Sequence, residues 1–159
     1  MSKLKVLVVD DDTELTDQIS RVLNESGRYE AIPAYTAKIA LETLNKNKKF
    51  LGIGGNNIKL ILLDIKMPEI SGMEFLEKLR DKYDPNIGVI MITAYETMDY
   101  WVDSLFAFGA VDYIKKPFTN KELLAQVDRF FKGEAEREEM GREARFHYWR
   151  KGDIKESKE

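Results

Sequence analysis

Near its N-terminus the chain has the sequence Val6-Leu7-Val8-Val9-Asp10-Asp11-Asp12. The first four residues of this stretch form an unbroken apolar run, which predicts a strand buried on both faces, as in a parallel sheet. The hydrophobic period then changes to that of a helix over residues 13–26, and Gly27 is a typical stop. This part of the chain therefore predicts a buried strand, an acidic turn and an amphipathic helix.

The same succession of strand and helix continues along the chain. Further strands are predicted at Glu30–Ala34, Ile58–Leu63, Ile87–Ile92 and Val111–Lys115. Further helices are predicted at Ala37–Asn45, Gly72–Tyr83, Thr97–Phe108 and Thr119–Lys132. Such alternation predicts a doubly wound α/β fold, in which parallel strands are joined by right-handed crossovers and helices cover both faces. Ligands bind such sheets at the carboxyl ends of the strands.

The composition is that of one folded domain in a reducing compartment. A chain of 159 residues with 43% hydrophobic residues can bury a single core. It has no cysteine, which excludes disulfides and makes a cytoplasmic location the simplest interpretation. The single histidine excludes a histidine-rich metal site, and the net charge of −3 does not suggest direct nucleic-acid binding. The N-terminal apolar run is too short to span a membrane, so we expect no membrane partner.

Acidic residues follow two of the predicted strands directly. Asp10, Asp11 and Asp12 come after the first strand, and Asp64 comes after the third. If these strands are neighbours, the carboxylates converge at one edge of the sheet and repel each other. A divalent cation relieves that repulsion, and Mg²⁺ accepts a few carboxylates while it keeps water for a phosphate. We interpret Asp12 itself as a helix N-cap, an explanation that does not extend to all three acids.

Two further polar residues follow the other strands. Thr93 comes after the fourth strand and Lys116 after the fifth. A threonine hydroxyl can donate to a phosphate oxygen, and a lysine can pair with a phosphate as a point charge. Taken alone, Thr93 is better explained as a cap and Lys116 as a solvated lysine. The interpretation of these residues as one phosphate site depends on their combination: acids follow the first and third strands, a hydroxyl follows the fourth and a lysine follows the fifth.

From about Lys3 to Lys132 the chain resembles the receiver domains of two-component response regulators. The resemblance is carried by four motifs in order: Val8–Asp12; Leu62–Pro68 with Ser71-Gly72; Met91–Ala94; and Gly109-Ala110 with Asp112–Ile114 and Lys115–Phe118. It implies a flavodoxin-like sheet in the order 2-1-3-4-5. We expect the receiver domain to span 1–132. From Gly133 onward the apolar period fails, so we expect a charged tail at 133–159, which either extends the fifth predicted helix or is frayed.

The resemblance further implies a chemistry for these residues. Asp64 would accept a phosphoryl group from a sensor histidine kinase or a phosphotransfer protein, with Lys116 and Thr93 assisting. The protein would then be a signalling switch that catalyses only its own phosphorylation and dephosphorylation. The metal would be Mg²⁺, held by Asp10, Asp11, Asp64 and the backbone carbonyl of Lys66.

The resemblance also implies how a signal leaves the domain. Thr93 and Tyr113 would rearrange on phosphorylation and shift the face formed by the fourth predicted helix, the fifth strand and the fifth predicted helix. That face would contact a partner or a second copy of the chain. We expect Trp101 and Phe108 to lie outside the core stripe of the fourth predicted helix and to form part of a partner site. A tail that folds back over them is the alternative.

One segment departs from the family pattern. Lys46–Asn57 is several residues longer than expected and contains lysines, asparagines and three glycines. Its composition predicts a mobile loop that buries little, at the end of the sheet opposite the strands' carboxyl ends.

Two other protein classes also place acids or a ligand after the first strand. Asp10-x-Asp12 resembles the nucleophile motif of haloacid-dehalogenase-like phosphatases, in which Asp10 would be phosphorylated, but Glu14 replaces the usual threonine or valine. A flavodoxin-like electron carrier would need a hydroxyl- and glycine-rich loop there, and three acids would repel the flavin phosphate.

Overall fold

The structure is a computed structural model that describes residues 2–50, 53–94 and 107–156, without the side chains of 148, 149 and 151–156. The strands are β1 (Leu4–Val9), β2 (Tyr29–Ala34), β3 (Ile58–Asp64), β4 (Gly88–Thr93) and β5 (Ala110–Lys115). The helices are α1 (Thr13–Glu25), α2 (Ala37–Lys46), α3 (Gly72–Lys82), α4 (Asn120–Phe130) and α5 (Glu134–Glu156). None of these helices has the length and hydrophobicity needed to cross a bilayer.

The strands form one parallel sheet in the order β2-β1-β3-β4-β5. The predicted fold class and strand order are therefore confirmed. The order reverses between β1 and β3, because β2 lies on one side of β1 and all later strands lie on the other. A doubly wound sheet binds ligands at such a switch point, beside the carboxyl ends of its strands.

The core has two layers, one on each face of the sheet. Val6 and Val8 point towards α1 and α4, whereas Leu7 and Val9 point towards α2 and α3. All four side chains are fully buried. Successive residues of a strand face opposite sides, so an apolar run without alternation is what burial on both faces requires.

Side-chain caps begin the first four helices. The Asp12 carboxylate accepts a hydrogen bond from the Leu15 amide at 3.1 Å, which confirms Asp12 as the N-cap of α1. Thr36 and Ser71 cap α2 and α3 in the same way, and Thr119 forms a capping box at the start of α4. These caps satisfy amide groups that a helix cannot satisfy itself.

The helix predicted for Thr97–Phe108 lies almost entirely outside the described residues, and so does Trp101. Phe108 is described: it is half-buried and packs against the core layer formed with α2 and α3. The expectation that Phe108 lies outside the core is therefore wrong. Phe108 directly precedes Gly109, whose φ is +81°.

The C-terminal tail differs from both structures expected for it. It forms a separate helix, α5, which begins after Gly133 and packs against β5 and α4 instead of continuing α4. Met140 is fully buried in the core layer that contains Val127 and Phe130. The sequence of the tail shows no periodic apolar stripe because the contact is made by Met140 and the small residues Gly141 and Ala144, all of which are buried.

The two described arms of the segment between α2 and β3, residues 47–50 and 53–57, pair with each other. Lys48 and Asn56 pair in antiparallel fashion, and the Asn57 amide donates to the Asn47 carbonyl at 2.9 Å. Asn56 is only 1% exposed, and its side-chain amide donates to the Leu44 carbonyl at 2.9 Å. The expectation of a loop that buries little is therefore wrong at its base. Its predicted location is confirmed, since Asn47 accepts a hydrogen bond from Lys5 near the start of β1.

Candidate functional site

Three carboxylates meet at the carboxyl end of the sheet. Because β1 and β3 are neighbours, Asp10 and Asp11 lie beside Asp64. One oxygen from each carboxylate lies within 4.8 Å of the others. Asp10 and Asp64 are buried, whereas Asp11 is exposed. The predicted convergence of these acids is therefore borne out by the geometry.

Lys116 supplies the opposing charge. Its ammonium nitrogen lies 3.0 Å from a carboxylate oxygen of Asp10 and 3.4 Å from one of Asp64. The Lys116 backbone amide donates to the Thr93 carbonyl at 2.7 Å, which ties the ends of β4 and β5 together. The Lys116–Pro117 peptide bond is cis. Sequence alone could not distinguish this paired lysine from a solvated one.

The surroundings of Asp64 disfavour its charge. Burial raises the pKa of Asp64 to about 6, and repulsion from Asp10 acts in the same direction, against the attraction of Lys116. Burial lowers the pKa of Lys116, but its contacts with Asp10 and Asp64 outweigh this, so that its pKa is raised overall. At neutral pH the site therefore holds an ionised Asp64 and a charged lysine, with the acids in excess.

The oxygens of Asp10, Asp11 and Asp64 fit a hard divalent cation. Mg²⁺ prefers oxygen ligands and commonly uses one or two carboxylates together with water. A single lysine does not neutralise three clustered carboxylates, and an added cation would. Lys66 belongs to the segment after β3 and lines a cleft with Asp11 and Met67, which brings it beside the acids.

Thr93 and Tyr113 occupy neighbouring strands. Thr93 is 1% exposed, and its hydroxyl donates to the Ala94 carbonyl at 2.9 Å. Tyr113 is half-buried and packs against the core layer that also contains Met91. Tyr113 also lines a cleft between β5, α4 and α5, together with Gln126 and His147. The Tyr113 side chain therefore packs on the face of the sheet that α2 and α3 cover, whereas the buried Met140 of α5 lies in the layer on the other face.

Two residues that shape the site were missed as functional by sequence reasoning. The Thr16 hydroxyl donates to the Asp10 carbonyl at 3.0 Å, which fixes the turn that carries Asp10 and Asp11. Gly72 lies so close to β3 that an added Cβ would be 2.5 Å from the Asp64 carbonyl oxygen. Thr16 has no distinctive sequence signal. Gly72 was noted only as part of a motif, because close backbone approach cannot be seen in sequence.

The comparisons with known proteins agree on one family. The model of the response regulator receiver domain matches residues 6–128. The regulatory protein VanR of Enterococcus faecium is 37% identical over 123 residues, which are 77% of this chain and 48% of that protein. The transcriptional regulatory protein CpxR of Escherichia coli is 36% identical over 123 residues, which are 77% of this chain and 47% of that protein. The chain thus spans about half the length of these relatives.

A solved structure gives the same result for the fold. A response regulator receiver domain protein (CheY-like) from Methanospirillum hungatei superposes with a TM-score of 0.67 and 32% identity. The match covers 89% of this chain and 99% of that one. The chain is therefore similar to a whole receiver domain and to the matching half of longer regulators.

Proposed function

Because the chain belongs to the response regulator receiver family, we propose that it is a signalling switch whose Asp64 carboxylate accepts a phosphoryl group in a magnesium-dependent reaction. The observation that carries this proposal is the convergence of Asp10, Asp11 and Asp64 within 4.8 Å, beside the ammonium group of Lys116. In such a cluster the acids can bind a metal ion, and the lysine can pair with an oxygen of the phosphoryl group. No other cluster of this kind is found among the described residues.

In the proposed reaction an oxygen of Asp64 forms a bond to phosphorus. The bond from phosphorus to the donor atom breaks, and the donor leaves with that electron pair. Only the ionised carboxylate is a nucleophile, and a pKa of about 6 leaves Asp64 mostly ionised at neutral pH. Bound Mg²⁺ would neutralise phosphoryl oxygens as charge develops on them. Asp10 and Asp11, with Asp64 and the Lys66 carbonyl, are the proposed ligands.

Lys116 and Thr93 have separate proposed roles. Lys116 already lies 3.4 Å from an Asp64 oxygen, so it can pair with a phosphoryl oxygen after a small movement. The Thr93 hydroxyl now bonds its neighbour's carbonyl, and we propose that it turns to donate to the phosphate. Tyr113, which is only half-buried, would then move inward. The two packings form a two-state switch that phosphorylation biases.

The output is proposed to pass through the surface of β5 and its flanking helices. In this structure α5 covers β5 and α4, where Met140 is buried and Arg137 donates to the Phe130 carbonyl at 2.8 Å. A partner, or a second copy of the chain, must therefore use the part of this surface that α5 leaves open or displace α5. The two curated relatives described above are regulators about twice as long, and we make no assignment of their output to this chain.

We further propose that the phosphoryl donor is a sensor histidine kinase or a phosphotransfer protein, and that the protein works in the cytoplasm. Family membership supports the first proposal. The absence of cysteine from the sequence is consistent with the second.

The test of the acceptor is direct. The full chain is incubated with Mg²⁺ and a small phosphodonor, and its intact mass is measured. We expect one added phosphate, none without Mg²⁺, and none in the D64N variant. D12N is the matched control, because Asp12 is an acid of the same turn that serves as a helix cap, and it should be phosphorylated normally. Labelling of D64N at the wild-type level would contradict the assignment, and if D10N lost the label while D64N kept it, the acceptor would be Asp10 instead.

A further inference from the structure

The last helix, α5, is held on the rest of the domain by few apolar contacts. Among its described side chains, Met140 is the only large apolar one that is buried, and Phe146 of the same helix is 59% exposed. In contrast, α1 buries Ile19, Val22 and Leu23 along one stripe. Because apolar burial supplies most of the free energy that docks a helix, α5 is held less tightly than α1.

Ion pairs and hydrogen bonds also hold α5. The Arg129 guanidinium on α4 pairs with the Glu143 carboxylate at 2.6 Å and with that of Glu136, so one arginine joins two points of α5 that lie two turns apart. We call these three residues the α5 latch. The Arg137 guanidinium lies 4.0 Å from the centre of the Phe130 ring and donates to the Phe130 carbonyl at 2.8 Å. The latch side chains are partly exposed, and salt weakens ion pairs of this kind.

The connection between α4 and α5 can act as a hinge. Only Lys132 and Gly133 separate Phe131, the C-cap of α4, from the start of α5. Gly133 has a φ of +142°, and an added Cβ would meet no described atom within 4 Å beyond its neighbours. A short, loosely packed glycine turn absorbs a change of backbone angles at little cost, so α5 can leave the domain as a unit.

The strand β5 connects α5 to the phosphorylation site. α5 contacts β5 more extensively than it contacts α4. The buried Asp112 of β5 accepts a hydrogen bond from Gln126 at 2.7 Å and lines a cleft of about 360 Å³ together with two latch residues, Arg129 and Glu143. Lys116 directly follows this strand and lies 3.4 Å from an Asp64 oxygen. A movement of Lys116 is therefore transmitted to the strand against which α5 packs.

We propose that α5 is an autoinhibitory cover over the surface of β5 and α4, and that phosphorylation of Asp64 opens it. This inference rests on the proposed function of Asp64. Without phosphate, the latch and Met140 hold α5 in place. Phosphorylation draws Lys116 and the end of β5 towards the phosphoryl group, which loosens the fit between β5 and α5 and favours the state in which α5 has left. The freed surface is then open to a partner.

The test is amide hydrogen exchange of the full chain, followed by mass spectrometry of peptides from α5 and α1. Samples are compared before and after treatment with Mg²⁺ and phosphoramidate, and their intact mass gives the phosphate content. In the untreated protein the amides of α5 should exchange about tenfold faster than those of α1, because α5 opens locally. Phosphorylation should speed exchange in α5 about fivefold or more and leave α1 unchanged. D64N should show no such change.

Substitutions test the latch and the opening separately. R129Q should speed exchange in α5 about threefold or more without phosphate, because it removes both ion pairs of the latch. R28Q is the matched control, since Arg28 pairs with Asp128 of the same helix α4 at 2.9 Å but lies outside the latch. The chain has no cysteine, so M140C provides a second measurement: its thiol is buried in the closed state and reacts with a thiol reagent when α5 opens. V6C, in the buried strand β1, reports unfolding of the whole domain.

Each failure has a distinct result. If a phosphorylated sample exchanged in α5 as the untreated one does, and M140C reacted no faster, the cover would be refuted and the acceptor assignment would stand. Equal exchange in α5 and α1, or equal reaction of M140C and V6C, would refute local opening. R129Q that behaved like R28Q would refute the latch. A wild-type chain whose mass shows no added phosphate would overturn the proposed function, and the phosphate-driven opening with it.

Discussion

Replacement of Asp64 by asparagine should make the metal-free protein more stable. The Asp64 carboxylate is 6% exposed and lies beside the buried Asp10, and burial with that repulsion outweighs its contact with Lys116. Its charge therefore opposes folding, and a neutral amide of the same shape removes the opposition. Asparagine can also donate to the Asp10 carboxylate, and Lys116 keeps its 3.0 Å contact with Asp10.

The magnitude follows from the pKa of Asp64, which is raised from 3.8 to about 6. At about 1.4 kcal/mol per pKa unit, the ionised form is disfavoured in the folded state by roughly 3 kcal/mol. Neighbouring side chains and water adjust around the charge, so we expect about 1–2 kcal/mol of added stability. Because the folded state holds the proton of Asp64 more tightly than the unfolded chain, the contribution of Asp64 to wild-type stability declines as the pH rises from about 4 to about 6.

The assay is urea unfolding of wild type and D64N with a chelator present, at pH 7.5 and again near pH 4.5. The advantage of D64N should be full at pH 7.5 and much smaller near pH 4.5, where wild-type Asp64 is protonated in the fold. D81N is the control, since Asp81 is an exposed carboxylate on α3, and it should change stability by less than about 0.5 kcal/mol. Added Mg²⁺ should stabilise wild type more than D64N. A D64N variant no more stable than wild type at pH 7.5 would refute the reasoning.

Four other substitutions test the site and the packing. D11A should weaken Mg²⁺ binding about tenfold or more in a calorimetric titration, and unchanged affinity would show that Asp11 is not a metal ligand. D12A should instead lower the free energy of unfolding by ~1 kcal/mol, because the N-cap of α1 is lost. M140A should lower the free energy of unfolding by about 2–4 kcal/mol in urea, because Met140 is fully buried, and a cost near zero would mean that α5 does not dock in solution. G88A should cost about 1–3 kcal/mol by the same measurement, since its Cβ would lie 2.2 Å from the Phe130 ring; a neutral effect would show that this contact gives way.

The order of elements and the acids of the site could be predicted because they depend on local sequence. A run such as Val6–Val9 has no polar alternation, and only a strand covered on both sides buries every residue of it. Once the strands are parallel, their carboxyl ends share one edge, and Asp10, Asp11 and Asp64 must meet there. The strand order came from the family resemblance carried by the four motifs, because hydrophobic periodicity does not show how strands are arranged in a sheet.

Other features could not be predicted because they depend on contacts between distant residues. Phe108 looked like a surface aromatic, yet it packs against the core directly before the turn at Gly109. The partnership of Lys116 with Asp10 spans 106 positions. Asn56 looked like a loop residue, and it is buried because its amide reaches the end of α2.

The α/β alternation, the burial of the sheet on both faces and the edge at which the acids gather could all be read from the sequence, since each follows from residue period and strand direction. The position of α5 could not. Its residues carry no apolar stripe, so its position depends on the buried Met140 and on Arg129, which pairs with Glu136 and Glu143. Those interactions need β5 and α4 already in place, and no pattern within the tail can encode a surface that other parts of the chain build.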